Sequence, residues 1–326
     1  MKLLSPPEYV KEAAARMRRA KKRIYLLSLV VADHPNTHEL IDELEKAAER
    51  GVEVVVAADI FTFGSVLSDF YPGKYRSKDT RQAQRMARAL KKAGVSFQWL
   101  GKHRLTLYNG RTHSKWCVID DTVFAFGGVN MYQKGVDNAD YMFMTEDPML
   151  ADLIVAEHKK VQDAEKRQIN YPSIAHQHGK NLILFDGGIV GQSIIYRRAC
   201  ELAKQAEKIT FVSQYAPTGR LSRLIRRTDY RAYFSRTEQA DGLNVFAVWS
   251  GVLLSRLRNE YRGRKYLHAK FIIFTMPDKT RIAITGSHNF AYTGDILGTR
   301  EIALETSDRS VIKQLEAFAK ELKKSA

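Results

Sequence analysis

The sequence predicts an α/β protein built from two duplicated halves, each an α/β/α sandwich, and three observations predict it. The stretch Thr112 to Met131, THSKWCVIDDTVFAFGGVNM, is written again in altered form at Leu267 to Phe290, LHAKFIIFTMPDKTRIAITGSHNF. Upstream of each stretch a helix-like and a strand-like segment recur in the same order. Within the stretches, Trp116-Cys117-Val118-Ile119 and Phe271-Ile272-Ile273-Phe274 are near-continuous apolar runs, as expected of central strands covered on both faces.

In chain order, Pro6-Pro7 opens a helix to about Lys22, and Ile24 to Val31 follows as a buried strand. A helix from Asn36 to Arg50, capped by Asn36 or Thr37 and ended by Gly51, leads into a strand from Val52 to Ala58. Phe61 to Asp79 mixes aromatics with Gly, Ser and Lys, a composition that suits a substrate loop or a packed surface excursion, and a basic helix runs from Thr80 to Lys92. The second half answers with a helix from Gly191 to Ala206, a strand from Ile209 to Tyr215, an Arg-rich helix near Leu221 and a strand from Leu243 to Trp249. Periodicity lapses over Arg167 to Lys180, so the halves are drawn as residues 1–168 and 181–326 with a linker at 169–180. His176 and His178 in that linker read as solvated loop. Gly187, Gly188 and Gly191 lack the Lys-Ser/Thr ending of a phosphate loop and read as a turn opening a helix.

The two motifs carry the chemistry. Residues two apart on a strand share a face, so His113 with Lys115, and His268 with Lys270, each present an imidazole beside an ammonium, a pair that suits an anion. After each hairpin the chain returns through Gly127-Gly128-Val129-Asn130 or Gly286-Ser287-His288-Asn289, which brings an amide side chain back beside the pair. Three polar groups converge from each half.

These residues resemble the phospholipase D superfamily, whose signature is HxKxxxxD followed by Gly-Ser-x-Asn, usually twice per chain. The first copy matches at His113, Lys115, Asp120, Gly127 and Asn130, with Gly128 where the family usually has Ser. The second matches at His268, Lys270, Gly286, Ser287 and Asn289, but Thr275 replaces the Asp and a longer hairpin carries Asp278 as a structural substitute. The resemblance implies that Asp120 supports its strand, and that an acid past each Asn bonds a motif His; Asp140 and Glu301 are the candidates. It also implies a metal-free and cofactor-free site between the halves, in which one His attacks phosphorus to give a phosphohistidine and the other serves as acid, then base. Lys115, Lys270, Asn130 and Asn289 would hold the non-bridging oxygens. The family pattern favours His113 as nucleophile and His268 as acid; the residues themselves leave the order open.

Composition narrows the partner. The chain has 326 residues, 44% hydrophobic and 27% charged, and its 52 Lys and Arg against 36 Asp and Glu give +16, which calls for an anionic membrane surface or nucleic acid. Cys117 and Cys200 lack the spacing of a disulfide framework or a zinc site. The N-terminal stretch lacks a signal-peptide core, and the longest apolar run, Ile24 to Ala32, is too short to span a bilayer. The expected location is cytoplasmic, peripheral at the inner face of a membrane, as a monomer holding both half-sites. Tyr230, Tyr233, Tyr261 and Tyr266 lie within or beside the basic tracts Arg220 to Arg231 and Arg256 to Lys265, a mixture that suits headgroups or stacked bases. Two enzyme classes stand: a phospholipid phosphodiesterase or phosphatidyltransferase, similar to the bacterial cardiolipin synthase and phosphatidylserine synthase branch through Gly127 to Asn130, or a metal-independent nuclease. A third reading, a scaffold that only binds phosphodiesters, leaves two intact His-Lys-Asn sets without a purpose.

Overall fold

The computed structural model describes residues 1–63, 77–101, 110–240 and 243–324. The first half runs β1 (Lys2–Leu4), α1 (Pro6–Met17), β2 (Arg23–Ser28), α2 (His38–Glu49), β3 (Glu53–Asp59), α3 (Lys78–Lys92), β4 (Ser96–Leu100), β5 (Trp116–Ile119), β6 (Thr122–Ala125), α4 (Gln133–Asp137), β7 (Met142–Glu146) and α5 (Pro148–Arg167). The second runs β8 (Ile174–His178), β9 (Asn181–Gly187), α6 (Ile194–Gln205), β10 (Lys208–Ser213), α7 (Gly219–Ile225), β11 (Asp229–Phe234), α8 (Leu243–Ser255), β12 (Phe271–Thr275), β13 (Arg281–Gly286), α9 (Tyr292–Leu297), β14 (Arg300–Thr306) and α10 (Arg309–Lys324).

Two seven-stranded sheets result, ordered β1-β7-β6-β5-β2-β3-β4 and β11-β10-β12-β13-β14-β9-β8. The run β7-β6-β5-β2-β3 of one corresponds to β14-β13-β12-β10-β11 of the other, so the duplication is one of topology as well as of motif. In both, the motif hairpin pairs antiparallel and lies beside a parallel pair, β2 with β3 or β10 with β11. Each sheet covers one face with its own helices. Tyr9 of α1, Leu40 of α2 and Leu90 of α3 pack with Leu26 and Cys117, while Ile195 of α6 and Leu221 of α7 pack with Ile209 and Ile272. The remaining faces share a single core, in which Trp116 of the first sheet and Tyr141, just before β7, join Phe271 and Ile302 of the second, together with Ile154 of α5 and Leu315 of α10. The halves are therefore one hydrophobic unit, and the site lies where they meet.

Two expectations are corrected. The run from Leu243 to Trp249 is the start of helix α8 and not a strand; the place beside β10 belongs to Asp229–Phe234, which pairs parallel with it over six residues. A short apolar run is ambiguous by periodicity alone, and its continuation to Ser255 makes it longer than an ordinary strand. The linker is also smaller than drawn, because Ile174–His178 forms edge strand β8 against β9. Its mostly exposed residues carry no apolar signal, as an edge strand allows, and His178 Nε2 meets Asp147 Oδ2 at 2.7 Å. The expected loop from Phe61 to Asp79 falls mainly on residues 64–76, outside the described residues. Cys117 and Cys200 are buried and free.

Candidate active site

Each motif His stands one residue before the Ser or Ala that leads into the buried motif Lys, and each is fixed by the opposite half. Ala139 bridges to Leu267, and the His268 and Ala269 amides donate to the Ala139 carbonyl at 3.0 and 3.1 Å. Arg300 bridges to Thr112 in the same way, with the His113 and Ser114 amides donating to its carbonyl at 2.8 and 3.0 Å. The next residue after each bridge is the acid on one side and the His on the other. Main-chain register thus delivers Asp140 to His268, Oδ2 to Nδ1 at 2.7 Å, and Glu301 to His113, Oε1 to Nδ1 at 3.0 Å. Both supporting acids predicted from sequence meet a motif His, and each meets the one in the other half.

The acids are themselves held. Asp140 Oδ1 accepts the Tyr141 and Gly128 amides at 2.8 and 3.2 Å, and Glu301 Oε2 accepts the Ser287 hydroxyl at 2.5 Å. Gly127 and Gly286 run so close to the neighbouring strand that a β-carbon would stand 1.9 Å from the Tyr141 carbonyl oxygen or 2.1 Å from that of Ile302, which explains the motif glycines. At Gly128 a β-carbon would stand 2.6 Å from Asp140 Oδ2, so the first half has no room for the counterpart of Ser287.

With Nδ1 committed to a carboxylate, the ring nitrogen left for chemistry on each His is Nε2. His113, His268, Asn130, Asn289 and Glu301 line one cavity of about 1150 Å³ that draws on both halves. Lys115 and Lys270 are fully buried and are not among its lining residues; each ammonium donates to the carbonyl of its own motif His, Lys115 at 2.7 Å. Ser28, ending β2, donates to Asn130 Oδ1 at 3.2 Å, and Ser213, ending β10, donates to the Asn289 carbonyl at 2.9 Å. Asn289 Oδ1 is buried with no hydrogen-bond partner among the described residues.

Burial lowers both imidazoles, His268 to about 3, against the pull of their carboxylates. Burial also lowers Lys115 to about 8 and Lys270 to about 7, partly offset by Asp140 and Glu301. Burial pushes Glu301 up, but His113, His288 and Lys115 hold it down to about 2. With both lysines cationic, both acids anionic and both imidazoles neutral, the cluster has no net charge. Adding one proton to an imidazole makes it +1, which matches the single charge of a phosphodiester.

Asp120 is not among the residues that line the cavity. It accepts the amides of Lys21, Lys22 and Arg23 at 3.0, 2.8 and 3.0 Å, tying the β5-β6 turn to the start of β2. Asp278 does not replace it: its Oδ1 accepts only from Thr280, inside its own turn. Of the tyrosines, Tyr233 and Tyr261 are buried and Tyr230 bonds the Arg258 amide, while Tyr266 lines the cavity.

Sequence reasoning missed several lining or neighbouring residues. Ser28 and Ser213 were visible as a Ser repeated at the end of equivalent strands, LLS and FVS. Arg111 lines the cavity and pairs with buried Asp59 at 2.5 Å, with no repeat to announce it. His288 also lines it; Nδ1 accepts the Phe290 amide at 2.8 Å, which places its proton on Nε2, and that atom is buried with no hydrogen-bond partner among the described residues.

Residues 14–162 match the family model described as "Cardiolipin synthase, PLD-like domain". No curated protein is matched by sequence. Among solved structures, phosphatidylserine synthase of Haemophilus influenzae Rd KW20 is similar with a TM-score of 0.73 at 14% identity, over 99% of this chain and 86% of that one. Polyphosphate kinase of Porphyromonas gingivalis is similar with a TM-score of 0.62 at 12% identity; the likeness covers 97% of this chain and 49% of the kinase. At these identities the structural likeness speaks for the fold.

Proposed function

We propose that this chain, which belongs to the phospholipase D superfamily, is an enzyme that cleaves phospholipid phosphodiesters and passes the phosphatidyl group to water or an alcohol. The observation that carries the reading is the pair of imidazoles on one cavity, each with Nδ1 held by a buried carboxylate of the opposite half. In this reaction His113 Nε2 attacks phosphorus and forms an N–P bond while the P–O bond to the leaving alcohol breaks. His268, neutral in the empty site and protonated once the negative charge of the phosphodiester is bound, gives its Nε2 proton to that oxygen. The acceptor hydroxyl then loses its proton to His268 Nε2, its oxygen bonds phosphorus, and the N–P bond breaks.

Asn130 and Asn289 stabilise charge on the non-bridging oxygens from the cavity wall, and the ammonium charges of Lys115 and Lys270 act on them from behind it; in a water-poor cavity such preorganised charges and dipoles are worth more than in solvent. The assignment of His113 as nucleophile follows the family pattern and is supported by its greater side-chain exposure, 18% against 8% for His268. The lipid class is supported by the matched family description and by the name of the synthase with the same fold.

The test uses labelled phosphatidylglycerol vesicles and labelled single-stranded DNA, each with EDTA present. Lipid turnover, with label trapped on a histidine in wild type and lost in His113→Ala, is expected. Cleavage of DNA with no lipid turnover overturns the lipid class in favour of a nuclease. Mixing His113→Ala with His268→Ala should restore nothing, because each chain holds both imidazoles and both acids.

A further inference from the structure

Helix α8 is built inside out for a water-exposed position. Over its thirteen residues, LNVFAVWSGVLLS, there is no charge, and the face it buries is the small one: Val248, Gly251 and Ser255, with Gly251 close against the Ala216 backbone. The bulky residues point outward, Phe246 at 69%, Trp249 at 52%, Leu253 at 61% and Leu254 at 66% exposed. A helix packed on a protein core does the reverse. At 1.5 Å per residue α8 is roughly 20 Å long, and no helix among the described residues is long and apolar enough to cross a membrane.

What surrounds α8 selects its occupant. Arg256 and Arg258 follow it, and Arg220, Arg223, Arg226 and Arg227 lie on or just after α7, which packs against α8; all six are exposed. These six outnumber the exposed Glu238 of the turn Thr237–Gln239, which also packs on α8, and the resulting positive rim around an apolar patch complements an anionic lipid surface, charge to headgroup and side chain to acyl boundary. The patch is also continuous with the cavity. Ala216, under Gly251, directly follows Gln214 and Tyr215 of the cavity wall. Helix α9, packed on α7, contributes Gly294 and Leu297 to that wall while exposing Tyr292 and Ile296.

We infer that α8 is an interfacial helix that lies in the surface of an anionic bilayer and sets the cavity mouth against it. The inference rests on the lipid reading of the site and adds the surface by which a lipid is reached. A second copy of the chain, or a protein partner, would also cover an apolar patch, but neither calls for the surrounding cations.

Removing apolar area at constant charge isolates the helix. Phe246→Ser with Leu253→Ser should weaken co-sedimentation with vesicles of phosphatidylglycerol and phosphatidylcholine by roughly thirtyfold, with an unchanged melting temperature because both side chains face outward. Trp249 fluorescence should shift to the blue and be quenched by brominated lipid, read as the signal that Trp249→Phe removes; Trp116 is buried, and Trp99, half-buried against Phe97, lies in the first half. Equal vesicle binding by wild type and variant, no binding by wild type, or a wild-type dimer that the substitutions dissociate while vesicle binding persists, each overturns the inference. Turnover of a monomeric short-chain phospholipid should be the same in both proteins. If neither turns it over, the functional reading fails, and the sedimentation result still decides the role of α8.

Discussion

Replacing Asp140 with Asn tests the cross-half arrangement with one atom. Asp140 Oδ1 accepts two backbone amides and Oδ2 meets His268 Nδ1. An amide has one acceptor, so its oxygen stays on the backbone N–H groups and its NH₂ faces the imidazole. His268 then keeps its proton on Nε2 and has no lone pair there to deprotonate the acceptor. Restoring the active tautomer would set two buried donors against each other unsatisfied, about 1–3 kcal/mol each, or about 2–6 kcal/mol together. At 1.36 kcal/mol per tenfold this is roughly a 30-fold to 10⁴-fold loss in kcat. The imidazolium that serves as acid in the first step also carries a proton on Nδ1 and meets the same opposing NH₂, so Asp140→Asn should slow both steps. Glu301→Gln, which disables His113 as nucleophile, should form no phosphoryl adduct on it. The assay is kcat by lipid release, with adducts located by peptide mass spectrometry and melting curves as the folding control. An Asp140→Asn enzyme within about tenfold of wild type would refute the tautomer argument, and a wild-type adduct on His268 instead of His113 would exchange the two roles.

Three other outcomes are expected. Gly128→Ser should push Asp140 from His268, lowering kcat by at least roughly tenfold and stability by about 1–3 kcal/mol, as kinetics and denaturant titration will show. Asp120→Ala removes three acceptor bonds and should lower the melting temperature, about 2–3 kcal/mol, while the folded fraction keeps its kcat; Thr275→Asp, at the equivalent turn, should be tolerated in both measurements. Lys270 and Lys115 are lowered to about 7 and about 8, so rising pH strips charge that a bound phosphodiester needs. Affinity for a non-hydrolysable phosphodiester should therefore fall above about pH 8, with proton uptake on binding at that pH, measured by calorimetry in buffers of different ionisation enthalpy.

The site's polar residues were legible because the chemistry demands fixed side chains at strand spacing, and chance rarely writes HxK with a returning Asn twice in one chain. The pairing of acids was not. Asp140 follows Asn130 closely in sequence, yet the bridge between Ala139 and Leu267 hands it to His268, and docking of two sheets leaves no mark in local spacing. Helix α8 was misread because an uncharged apolar run has no period to measure. Strand β8 was missed for the opposite reason, since an exposed edge needs no apolar pattern. Nor did spacing show that Lys115 and Lys270 would be fully buried, each already engaged with a carbonyl.

The exchange of carboxylates between halves has a consequence during synthesis. Glu301 is made 188 residues after His113, an interval of about 10–40 s at ordinary elongation rates. Through that time the first half can form its strands and present His113 and Lys115, but the imidazole has no carboxylate to fix its tautomer. His268 waits less, since Asp140 is already made when it emerges, yet it too becomes oriented only once the halves dock. A nascent chain, or a fragment cut between the halves, thus carries the motif without the carboxylate that orients it, and both His-carboxylate pairs exist only once the chain has closed on itself.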